Sequence, residues 1–71
     1  MCVCQMTHMK AGELIRLLRQ AEWIQVRQRG SHRTYKHPDS QHLVTVPMHG
    51  SRDLSRGVLR SIERITGLIL R

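Results

Sequence analysis

Apolar residues recur along this chain with two different periods. Across 11–21, Leu14, Leu17, Leu18 and Ala21 fall at i, i+3, i+4 and i+7, the stripe of a helix with one buried side. Glu13 in the first turn and Arg19 near the last suit the helix dipole. Neither end is ideal. Ala11 stands where Ser or Asn would cap better, and Glu22 stands where Gly would close the helix at least cost.

From Trp23 the period shortens to two. Trp23 to Arg29 reads as a strand with Ile24 and Val26 on one face and Gln25, Arg27 and Arg29 on the other. Gly30-Ser31 signals a turn, and His32 to His37 a second strand. Pro38-Asp39-Ser40 is turn chemistry. His42 to Met48 reads as a third strand, with Val44, Val46 and Met48 on one face and Pro47 marking its end or a sheet edge. The helical period returns over Ser55 to Thr66. Asp53 or Ser55 serves as cap, Gly67 closes the helix, and Val58, Leu59, Ile62 and Ile65 form the apolar stripe. Arg56, Arg60 and Arg64 make a ridge on the far side. It is either a solvated face paired with Glu63 or a binding surface.

Residues 1–8 show no period and are expected to be a flexible extension, leaving 9–71 as a single domain. The fold class is therefore α+β, in the order α-β-β-β-α. Short turns favour a three-stranded antiparallel meander, with both helices on one face and the other face open.

Composition narrows the function. With one Trp, one Tyr and no Phe in 71 residues, the core must be aliphatic, and a deep multi-part cleft is not expected. Trp23 is expected in that core rather than stacked on a base. The net charge of +7 is unevenly placed. Arg27, Arg29, Arg33 and Lys36 share 23–37 with no acid, an electrostatic footprint for phosphate. Cys2, Cys4 and His8 lack zinc spacing and form no disulfide framework. No apolar run would span a membrane and no signal peptide is evident, so a cytoplasmic protein is expected. Neither metal nor cofactor is expected. His32 and His37, five apart on a strand, point to opposite faces and make a poor metal pair, and His37 and His42 read as turn residues.

The order α-β-β-β-α resembles the double-stranded RNA-binding domain. Particular residues resemble the HicA-type (YcfA-like) mRNA interferase toxins of bacterial toxin–antitoxin pairs. They are Glu13-Leu14-Ile15 with Leu17-Leu18, Trp23, Arg27-Gln28-Arg29-Gly30-Ser31-His32, Lys36-His37-Pro38, Val44-Thr45-Val46-Pro47-Met48-His49 and Leu59-Arg60-Ser61-Ile62. The likeness runs from about residue 9 to the end, and Ala11 and Glu22 depart from it where the family tends to have Ser and Gly.

The resemblance implies a metal-independent endoribonuclease acting on mRNA in stress response, with His32 catalytic and a cognate HicB-type antitoxin as inhibitory partner. Such a toxin is expected in a heteromeric complex with that antitoxin. RNA contacts are expected from Lys10, Arg27, Arg29, Gly30, Ser31, Arg33 and Lys36. His32 itself, Tyr35 and His49 are, in that order, candidates to protonate the leaving group. Two other classes fit the residues: a non-catalytic RNA-binding module, and a protein whose basic face docks an acidic partner.

Overall fold

A computed structural model describes residues 9–48 and 52–70. The expected extension at 1–8, with Cys2, Cys4 and His8, lies outside the described residues, as does the candidate His49. The element order is helix α1 (Ala11–Gln20), strands β1 (Ile24–Arg29), β2 (His32–Lys36) and β3 (Leu43–Pro47), and helix α2 (Arg56–Thr66). The strands form one antiparallel sheet in the order β1-β2-β3, and both helices pack against β3. This is the expected α+β arrangement.

Helix α1 buries Ala11, Leu14, Ile15 and Leu18. The expected stripe of Leu14, Leu17, Leu18 and Ala21 is thus turned by part of a turn, with Leu17 and Ala21 only partly buried. Both sets satisfy the helical period, so the period alone does not choose between them. Ala11 is the first helical residue and belongs to the core, while Lys10 is the cap residue, its N–H donating to Glu13 Oε1 at 3.1 Å. At the other end the Glu22 N–H donates to the Arg19 carbonyl and the Trp23 N–H to the Leu18 carbonyl, at 3.0 and 2.9 Å. This is the Schellman closure, which needs a left-handed residue at its hinge. Glu22 supplies it with a φ of 71°, in the place where Gly would be least strained.

Helix α2 is capped by Ser55, whose hydroxyl accepts from the Val58 N–H at 3.2 Å, and is closed by Gly67 with a φ of 78°. Leu59 and Ile62 enter the core beside Val44, Val46, Tyr35, Leu14 and Leu18. The two helix starts are joined. Lys10 and Asp53 form an isolated bridge and an ion pair, and the Leu54 N–H donates to the Met9 carbonyl at 2.8 Å.

Strand register fixes the two faces of the sheet. Tyr35 opposes Val44 and Arg33 opposes Val46, which puts these four on the helix side. His32, Thr34 and Lys36 oppose Pro47, Thr45 and Leu43 on the open side. In β1, Ile24 pairs with Lys36, Gln25 with Tyr35, Arg27 with Thr34, Gln28 with Arg33 and Arg29 with His32, with a bulge between Gln25 and Arg27. Simple alternation would separate Ile24 from Arg27 and Arg29. The bulge absorbs one residue and reverses that phase, so Ile24, Arg27 and Arg29 share the open face, and Gln25 and Gln28 face the helix side.

Candidate active site

The β1–β2 hairpin turns on two residues, Gly30 and Ser31, closed by the pair Arg29 and His32. Gly30 has a φ of 58°, whereas Ser31 has no positive φ. Glycine with positive φ at the first turn position is the demand of a type II′ hairpin, whose twist matches the strands. A Cβ built on Gly30 would meet nothing within 4 Å, so backbone conformation rather than crowding calls for glycine here. The Ser31 carbonyl accepts from the Met48 N–H at 2.6 Å, which ties the tip to the residue that follows β3.

His32 is therefore the first residue of the central strand and is exposed on the open face. It lies in a row between Arg29 and Pro47. Paired Cα atoms in such a ladder are roughly 5 Å apart, so the Arg29 and His32 side chains leave the same face from adjacent positions. Arg27 is its diagonal neighbour on the same face, within about 8 Å. The next row, Arg27, Thr34 and Thr45, carries two hydroxyls 3.4 Å apart. The result is an exposed His32 with two arginines at neighbouring positions of the same face, next to a tight glycine turn. That arrangement can receive a phosphodiester, take a proton from a hydroxyl beside it and offset the negative charge that develops.

The other expected site residues are placed elsewhere. Tyr35 is 1% exposed on the helix side, its hydroxyl donating to Gln25 Oε1 at 3.5 Å. The sheet stands between it and His32. Lys36 shares the face of His32 but lies four residues along, roughly 13 Å away. Its ammonium donates to the carbonyls of Ser40 and His37 at 2.7 and 3.3 Å and so stitches the β2–β3 turn. Lys10 is engaged with Asp53 at 3.1 Å in the clasp between the helix starts. Arg33 lies on the helix side.

Trp23 is buried, as expected, with its ring 5.4 Å from that of His37. His37 accepts the Asp39 N–H on Nδ1 at 2.9 Å, and His42 is exposed beside the turn, so both serve or flank the turn. Among the described residues no cluster of three or more His, Cys, Asp or Glu could hold a metal ion. Among the described residues Glu63 forms no ion pair with Arg56, Arg60 or Arg64. Its Oε2 accepts from the Leu70 N–H at 2.6 Å.

Alternation from the Arg29–His32 pair already puts Arg27 on the face of His32, whereas the placing of Ile24 on that face and of Gln25 on the helix side is absent from the sequence pattern, because nothing in Gln25-Val26-Arg27 marks a bulge. The exposure of Ile24 and Val26, at 60% and 54%, is its visible consequence. No described helix is long and apolar enough to cross a membrane. No curated protein matches the chain. A family profile described as the HicA toxin of bacterial toxin–antitoxin matches residues 11–68, from the first residue of α1 to just past α2. That stretch holds every element of the fold together with the Arg29–His32 hairpin, and the chain belongs to the HicA family of bacterial toxins, which are paired with cognate antitoxins.

Proposed function

We propose that this toxin is a metal-independent endoribonuclease that cuts messenger RNA in the cytoplasm, with His32 as its catalytic residue and a HicB-type antitoxin as its inhibitor. The observation that carries the reading is the pairing of His32 with Arg29 on the open face, reinforced by Arg27 two residues along the same strand face.

His32 accepts the proton of a ribose 2′-hydroxyl. The freed oxygen attacks the adjacent phosphorus as the bond from phosphorus to the 5′ oxygen breaks. A 2′,3′-cyclic phosphate and a 5′-hydroxyl result. The leaving oxygen takes its proton from protonated His32 or from water. Arg29 and Arg27 oppose the charge that grows on the phosphoryl oxygens. Gly30 and Ser31, with no large side chain at the tip, let the RNA backbone come close. A histidine working in this way contributes about 10²–10⁴-fold. The open sheet face leaves the site bare, so inhibition requires an antitoxin to cover it.

The test is incubation of the purified protein with RNA in EDTA beside the His32→Ala variant. Cleavage by the parent alone supports the reading. Equal cleavage by the variant removes His32 from the mechanism. Salt-sensitive binding by both without cleavage makes the protein an RNA-binding module.

A further inference from the structure

Arg33 follows His32 in the chain and points to the opposite side of the sheet. Its register partners are Gln28 in β1 and Val46 in β3. Val46 is fully buried, so the stem of Arg33 borders the core while the residue as a whole is half-buried. Its Nε–H is buried and has no hydrogen-bond partner among the described residues. The ion pair found among those residues, Lys10 with Asp53, does not involve it. An unmet buried donor on a cation is a standing cost to the fold, and an apolar residue packed on Val46 would not carry it.

The surroundings indicate what this group is for. All six residues of β1 are exposed, including Gln25 and Gln28 on the helix side, so the helices leave this edge strand of the hairpin uncovered on both faces. The hairpin carries Arg27 and Arg29 on one face and Arg33 on the other, with no acid between Trp23 and Pro38. A single carboxylate could answer one of these positions. A chain that repeats its negative charge at every nucleotide can answer both faces while crossing the two-residue tip.

We propose that Arg33 is a phosphate-receiving residue on the reverse of the hairpin, so that the RNA backbone folds over Gly30-Ser31 and is held from both faces. This rests on the ribonuclease reading for the identity of the ligand. Arg33 binds a phosphate next to the scissile one and takes no part in proton transfer.

Binding is measured with a fluorescent single-stranded RNA in the His32→Ala background, where cleavage does not interfere. Adding Arg33→Met is expected to weaken binding about tenfold at low salt. It is also expected to flatten the slope of log affinity against log salt by about one contact's worth. Arg33→Lys keeps the charge but loses the planar guanidinium fork that grips a phosphate with two donors, and is expected to retain the slope while weakening binding severalfold. Thermal melting of Arg33→Met should equal or exceed that of its parent, because the unmet donor is gone. Unchanged affinity and slope in both variants overturn the proposal while leaving the ribonuclease reading intact. Loss of antitoxin affinity with RNA affinity preserved also overturns it, and assigns Arg33 to a partner's carboxylate. If His32→Ala protein fails to bind RNA even at low salt, both readings fall together.

Discussion

Arg29 and His32 face each other across the mouth of the β1–β2 hairpin, the closing pair of a turn only two residues long. On the proposed ribonuclease reading the two would share one phosphodiester, the guanidinium stabilising charge and the imidazole moving a proton. Their removal should therefore leave different kinetic signatures. His32→Ala is expected to lower kcat by about 10²–10⁴-fold with little change in RNA affinity. Arg29→Met is expected to lower kcat by about 10²-fold and also to weaken binding. Single-turnover cleavage with separate binding titrations distinguishes them. Equal kcat in parent and Arg29→Met would sink the assigned role of Arg29.

The same pair depends on the glycine beside it. Gly30 has the positive φ that L residues resist, and its missing Cβ leaves open space. Gly30→Val should destabilise by roughly 1–2 kcal/mol through backbone strain and disturb the Arg29–His32 register. Gly30→Asn should lose less than Gly30→Val, since asparagine tolerates positive φ better than a branched residue does. Urea unfolding measures the first effect and RNA cleavage the second. Activity should fall further in Gly30→Val than its lost stability explains. If Gly30→Val unfolds and cleaves like the parent, the turn does not position the site.

Much of this fold is legible in the sequence, because its ends are marked chemically. Ser55 and Gly67 bracket α2, Gly30-Ser31 makes the hairpin, and Pro38-Asp39-Ser40 the second turn. The facing of the start of β1 is not legible, since a bulge at Gln25–Arg27 carries no glycine or other sign and puts Ile24 and Gln25 on the opposite faces from those that alternation with Arg27 and Arg29 gives. Nor does charge reveal how a cation is used. Lys36, Lys10 and Arg33 look alike as basic residues, yet Lys36 binds turn carbonyls, Lys10 binds Asp53, and Arg33 sits on the reverse face. The stripe of α1 stays ambiguous in sequence because two overlapping sets of positions fit one period, and packing against β3 decides between them.

Glu22 offers a change that should help the fold without touching the site. It closes α1 at a φ of 71° with both Schellman hydrogen bonds formed. Glu22→Gly would keep those bonds and remove the steric cost of left-handed backbone, a gain of about 1 kcal/mol. For a domain of this size that corresponds to about 4–8 °C in Tm. Calorimetry measures the gain, and RNA cleavage at a temperature well below Tm should be unaltered. A lower Tm would mean that the Glu22 side chain contributes more than its backbone strain costs.

Glu63 tests how the end of the chain is fastened. It lies among Arg60 and Arg64 on α2, yet its carboxylate accepts the Leu70 N–H at 2.6 Å. Leu70 is buried beside the core, and the Thr66 hydroxyl holds the Leu68 N–H at 3.1 Å on the way there. Glu63→Ala should cost about 1–3 kcal/mol, the usual range for a hydrogen bond to a charged acceptor whose donor is left partly buried. Glu63→Gln retains an acceptor and should lose less than half as much. If the carboxylate acted instead by pairing with the arginine ridge, both substitutions would cost alike and both losses would shrink in high salt. Urea titrations of the two variants at low and high salt decide between these outcomes. Hydrogen exchange at Leu70 should accelerate selectively in Glu63→Ala while amides of β2 stay protected.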